Sequence, residues 1–253
     1  MLLILMYHRA APPHLGLGNP PEVLESHFAT LRTRANIVLP GEPLPPRRLN
    51  VCLTFDDAYA DFYFRVFPLL KKYSLRAVLA VPTAFILDGT TRDPETRLAV
   101  PQLAAMQANT FREQAPFCTW PELREMQSAG CVQMASHSHH HPDMRRPDTD
   151  VDFECLQSRQ LLETNLGRPV DTFVYPYGSV NARAHQSVSR HYQYGIRVGA
   201  ALNHAWQPRH QPLCRVGADN VPDISSRLGI RQLAGFSLKM LGNQLRAATG
   251  KWR

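Results

Sequence analysis

Short, predominantly apolar runs recur along the chain: LLILMY at 2–7, NVCLTF at 50–55, RAVLAVP at 76–82, CVQMAS at 131–136 and DTFVY at 171–175. A strand covered on both faces reads as such a run, whereas a strand with one wet face alternates. Helical spacing lies between them. Phe62, Val66, Leu69, Leu70 and Tyr73 fall on one face. Thr119-Trp-Pro-Glu122 forms a capping box whose helix closes at Gly130. FECLQSRQLLETNL stops at Gly167, with Pro169 barring continuation. Residues from about Asp88 to Pro116 follow neither period and read as an insertion or lid. Strand alternating with helix predicts a parallel sheet with crossover helices, closed into a barrel. No internal repeat appears, and 253 residues suit one α/β barrel.

In such barrels, chemistry gathers at the carboxyl ends of the strands. Four polar or aromatic clusters follow the apolar runs directly: His8-Arg9, Asp56-Asp57, the histidines of SHSHHHPDM at 136–144, and Tyr175-Pro-Tyr-Gly. Loop polars without a shared task would be spread over both ends of the barrel.

Composition narrows the picture. At 44% hydrophobic and 19% charged, the chain buries a core and is not disordered. The net charge of +7 is concentrated at one end: Arg227, Arg231, Lys239, Arg246, Lys251 and Arg253 follow Ile224 with no acid among them. The basic character belongs to the tail, and general nucleic-acid affinity does not follow from it. The tail (224–253) reads as a basic amphipathic helix packed on the barrel that forms 1–223, with peripheral membrane contact as the alternative. Five scattered cysteines without a CxxC pair suit reduced thiols in the cytoplasm. The apolar start lacks a basic n-region and is too short for a signal peptide, so a cytoplasmic, at most membrane-associated, location is expected.

His137 and His141 stand four apart, close enough for both rings to reach one ion. Two imidazoles and a carboxylate make an open shell for zinc, iron, cobalt or nickel. TFDD supplies two neighbouring carboxylates that point to different sides, so one can bind metal while the other stays free as a base.

TFDD, then S-H-S-x-x-H-P, then F-x-Y-P-Y-G, in that order, resembles the polysaccharide deacetylases (NodB-homology domain, carbohydrate esterase family 4). ILMYHR, FPLLKKY before RAVLAVPT, and TWPELREMQSAG before the histidines are also similar to that family, over roughly residues 1–220. The resemblance implies a distorted (β/α)7-type barrel that hydrolyses N-acetyl groups on amino sugars of a glycan, oligosaccharide or glycolipid intermediate. It implies Asp56 as base, with Asp57, His137 and His141 as ligands of a divalent metal, zinc before cobalt, nickel or iron. Ser138 then braces the loop, and His139 and His140 fill variable positions. The Tyr177 backbone N–H helps hold the oxyanion, and His8, Tyr175 and Pro176 stand at the rim as substrate contacts.

The chain departs from the family at three places. Ala58 replaces a customary glycine. Val174 stands where many members carry an arginine paired with the catalytic Asp, and Arg215 from PLCRVG is the expected replacement. No Leu-x-x-His segment supplies a general acid, which leaves His204 and His210 as candidates. The competing readings are a sugar O-acetyl esterase, a carbohydrate-binding pseudoenzyme, and a non-haem iron oxygenase that would leave Asp56 idle.

Overall fold

The computed structural model describes residues 1–207 and 211–248. In chain order the elements begin β1 (Leu2–Tyr7), α1 (Pro21–Arg34), β2 (Ala35–Ile37), β3 (Leu49–Phe55) and α2 (Phe67–Tyr73). After β4 (Ala77–Val81) come three short helices, α3 (Pro94–Leu98), α4 (Gln102–Ala105) and α5 (Ala108–Gln114). Next are α6 (Trp120–Ser128), β5 (Val132–Ser136), α7 (Val151–Leu166), β6 (Thr172–Val174), α8 (Ala182–His191), β7 (Tyr194–Val198) and β8 (Leu213–Gly217). The chain ends with α9 (Ser225–Leu228) and α10 (Ile230–Ala248).

The ladder pairings between these strands are all parallel. β3 through β8 neighbour one another in sequence order, and β1 lies between β8 and β3, closing a seven-stranded barrel. β2 pairs with β3 outside the ring. The first and last strands therefore meet in space. Leu2 to Tyr7 of β1 lie opposite Asn50 to Phe55 of β3, and Ile4 lies opposite Arg215 of β8.

Alternation along each strand sorts the side chains into two layers. Leu3, Leu5, Tyr7, Val51, Leu53 and Phe55 join the helices in the outer core, where α1 contributes Leu24, Phe28 and Leu31. Leu2, Ile4, Cys52, Val78, Ala80, Ala135 and Ile196 form a second cluster that fills the barrel. Small side chains such as Cys52, Ala80 and Ala135 suit that interior because seven strands enclose little volume.

The 88–116 segment is folded and tied down. Arg97 is buried and donates to the carbonyls of Ala115 and Phe117 at 2.9 and 2.8 Å and to both oxygens of Glu122 at 2.7 and 2.9 Å. Helices this short carry no readable period, and cationic bonds to carbonyls add to the burial of Val100, Ala105 and Phe111. In the tail, α10 turns Phe236 and Met240 onto the core, while Ile230, Leu238 and Leu241 face solvent. No helix among the described residues is long and apolar enough to cross a membrane.

Candidate active site

Backbone strain marks one end of the barrel. Nine described non-glycine residues have positive φ, and five of them, Asp57, Ala58, Ser138, His141 and Tyr177, lie in the loops leaving β3, β5 and β6. Each such residue costs on the order of 1 kcal/mol, and such costs persist where they aim a functional group. At Ala58 (φ 53) the left-handed conformation explains why glycine is customary there.

Three ligand atoms converge at this end. His137 Nε2 and His141 Nε2 are 3.2 Å apart, and Asp57 Oδ1 lies 3.5 and 3.3 Å from them. Tetrahedral ligands about 2.05 Å from a zinc ion stand about 3.3 Å from one another, so the spacing fits a divalent cation. Asp57 Oδ1 is buried and has no hydrogen-bond partner among the described residues, an arrangement a cation would satisfy. His137 Nδ1 donates to Val174 O at 2.8 Å, which turns the Nε2 lone pair toward the other two ligands. Burial pulls the His137 pKa down to about 4, so the ring is neutral. Burial alone would raise the Asp57 pKa, but the neighbouring His141 and His137 hold it below the usual carboxylate range.

The histidine loop is braced from both sides. His141 N donates to Ser138 Oγ at 2.9 Å, and Glu154 of α7 accepts from His139 N and His140 N at 2.8 and 2.7 Å. His139 bonds Thr83 and His140 bonds Glu154, so neither ring joins the three converging ligands.

Asp56 faces the ligand triad from a different support. Arg215 is fully buried in the barrel and grips both Asp56 oxygens, at 2.6 and 2.8 Å. An arginine from β8 thus occupies the role that position 174 cannot fill. Burial would raise the Asp56 pKa, but Arg215, His137 and His8 outweigh it, and the carboxyl stays ionised.

His8 completes the floor. The backbone bond from Asp56 N to Tyr7 O at 2.9 Å sets the loops after β1 and β3 side by side. His8 Nε2 lies 3.7 Å from Asp56 Oδ2, and His8 Nδ1 is 2.6 Å from Asp219 Oδ2. Burial alone would lower the His8 pKa, but the Asp219 hydrogen bond and charge, helped by Asp56 and Asp57, raise it to about 9. The ring is therefore cationic near neutral pH. Asp219 was not singled out from the sequence, although an acid after PLCRVG occupies the same strand-end position as the acids of TFDD.

These residues open into a cavity of about 550 Å³ that His8, Asp56, Asp57, His137, His141 and Tyr177 help to line. Tyr177 adopts φ 57, ψ 8, with its ring edge-on to His141 at 4.8 Å. Gly178 beside it must be glycine, because a Cβ would meet Val198 Cγ2 at 2.2 Å.

Three expected positions are corrected. Tyr175 is fully buried with its hydroxyl on His185 at 2.8 Å, and Pro176 is buried next to it, so neither reaches the cavity. His204 follows Asn203, which pairs with Leu2 at the amino-terminal end of β1, the opposite end of the barrel from Asp56. It cannot protonate a leaving group there. His210 lies outside the described residues.

The polysaccharide deacetylase family model matches residues 45–196, more than half of the chain. A poly-β-1,6-N-acetyl-D-glucosamine N-deacetylase of Escherichia coli (strain K12) is 27% identical over 178 residues, 59% of this chain and 25% of that protein. The chain thus spans a quarter of the length of that relative. Among solved structures, the Streptococcus pyogenes deacetylase PplD, in complex with acetate, superposes with a TM-score of 0.69 at 22% identity. The match covers 90% of this chain and 96% of that one. IcaB from Ammonifex degensii gives 0.70 at 19% identity, covering 89% and 95%. At these identities the likeness shows the shared barrel.

Proposed function

The chain belongs to the polysaccharide deacetylase family, and from that premise we propose that it is a metal-dependent N-deacetylase of an acetylated amino sugar. The observation that carries the reading is the pairing of an ionised, Arg215-held Asp56 with a cationic, Asp219-held His8 across one cavity, beside the Asp57–His137–His141 triad. Amide hydrolysis needs a base for water and an acid for a poor leaving amine, and here the two roles fall to groups with opposite charge.

Asp57, His137 and His141 would hold a divalent cation, zinc on this donor set, which when bound would supply Lewis acidity toward the acetyl carbonyl and water. Asp56 accepts the proton of that water, and Arg215 keeps its carboxylate aligned and ionised. His8 gives its Nε2 proton to the departing nitrogen while Asp219 keeps accepting Nδ1–H, and the proton that Asp56 took from the water returns to His8 Nε2, 3.7 Å from Asp56 Oδ2. The strained turn at Tyr177 offers its backbone N–H to the oxyanion. The cationic His8 separates N-deacetylation from O-deacetylation, because an alkoxide leaves with far less help from an acid than an amine does.

The relative's substrate makes N-acetylglucosamine the sugar to test first. The expected outcome is acetate release from an N-acetylglucosamine oligomer that stops with a chelator, returns with zinc, and exceeds release from an O-acetylated sugar. Equal release with and without chelator refutes the reading.

A further inference from the structure

The catalytic cavity has a polar floor and an apolar mouth. Leu17, Leu103 and Met106 line it together with Met6 and Val198. Leu103, on α4, is 96% exposed, and Leu17, on the loop after β1, 47%, far apart in sequence. A lone exposed leucine needs no explanation, but two converging on one cavity do.

The mouth is held in place. Leu17 lies between Gly16 and Gly18, where a Cβ would come within 2.5 Å of Gln102 and 2.4 Å of Arg9 O respectively. Leu17 N donates to Gln102 Oε1 at 2.8 Å, which joins its loop to α4. Beneath them Arg9 is buried, paired with Asp61 at 2.7 Å, and donates to Leu15 O and Val100 O at 3.1 and 2.8 Å. One buried cation thus fixes the Leu17 loop and the segment leading into α4 to the barrel.

A sugar ring packs well on a flat aromatic face, and Tyr177 is the one well-exposed aromatic among the described lining residues. No lysine or arginine is among them. Branched and thioether side chains around a carboxylate–histidine floor suit methylenes better than hydroxyl-rimmed rings.

We propose that the substrate carries an uncharged aliphatic chain next to its acetylated sugar, a glycolipid or alkyl glycoside rather than a bare polysaccharide, with Leu17, Leu103 and Met106 setting that specificity. The proposal rests on the deacetylase reading. The acetamide reaches the floor while the first methylenes of the chain rest on the mouth, and each methylene covered favours the complex about fourfold.

The test compares kcat/KM for acetate release from methyl and octyl N-acetyl-β-D-glucosaminide, below the micelle-forming concentration, and from a β-1,6-linked N-acetylglucosamine pentamer. The octyl glycoside is expected to exceed the methyl glycoside at least tenfold. Leu17→Ser with Leu103→Ser is expected to lower that ratio at least threefold, while Leu156→Ser, an exposed leucine of α7, leaves it unchanged. An octyl-to-methyl ratio near one, a ratio unmoved by the double substitution, or a pentamer that outruns the octyl glycoside and loses rate in the double variant overturns the inference, and turnover in any of these cases leaves the deacetylase reading standing. No acetate from any of the three substrates refutes that reading itself.

Discussion

Asp219→Asn isolates the electrostatic support of His8. Asn retains an oxygen for the His8 backbone N–H, which now bonds Asp219 Oδ1 at 3.0 Å, but loses the charge and the acceptor facing Nδ1 at 2.6 Å. Burial opposes the cation, so without Asp219 the His8 pKa should fall from about 9 toward or below its ordinary 6.5. At pH 8 a group of pKa 9 is about nine-tenths protonated, and one of pKa 6.5 about 3%, so the acid form falls roughly thirtyfold. The assay is kcat/KM for acetate release from pH 5 to 10 with saturating zinc. The basic limb should move from near pH 9 to below pH 7, with the loss largest at high pH and small near pH 6. An Asp219→Asn protein whose basic limb stays where the native protein has it would refute the role of His8 as a cationic acid.

Arg215→Met leaves the buried Asp56 carboxylate without its partner and should cost about 3–5 kcal/mol in urea unfolding, with Lys a poor substitute for the bidentate grip. Part of that cost should return in the Arg215→Met, Asp56→Asn double variant. His141→Ala should weaken zinc binding, measured by titration calorimetry, at least tenfold, whereas His140→Ala should leave it unchanged, because His140 bonds Glu154 instead. Gly178→Ala, placing a Cβ 2.2 Å from Val198 at φ 62, should lower the thermal midpoint by several degrees and slow turnover. Because His8 titrates at about 9 in the folded chain against 6.5 unfolded, its contribution to stability is complete below pH 6.5 and is lost as pH rises through 9. Thermal midpoints of native protein should fall across that window more steeply than those of His8→Gln.

The barrel was readable where strands are buried on both faces: LLILMY, NVCLTF and RAVLAVP each fall on a strand of the ring. β7, YGIRV, has a glycine and an arginine inside five residues and gives no apolar run. The Asp57–His137–His141 group was legible because all three lie within five residues of a strand end, in motifs a few residues long. The His8–Asp219 pair was not, because its members are 211 positions apart and meet only because β1 closes the barrel beside β8. His204 was the wrong histidine for the same reason. Position late in the chain carried no information about which end of the barrel a residue reaches. Arg215 was recoverable from the gap at Val174, since a buried catalytic carboxylate needs a cation from some neighbouring strand.

In the proposed reaction Asp56 does chemistry next to a metal that it does not hold. Asp56→Asn protein, loaded with zinc and assayed for metal content and acetate release in the same preparation, tests it most directly. The structure predicts one zinc per chain, as in the native protein, with acetate release reduced at least a hundredfold, the order expected for loss of a general base. Native acetate release from the zinc-loaded Asn variant, or loss of the metal together with activity, would contradict it.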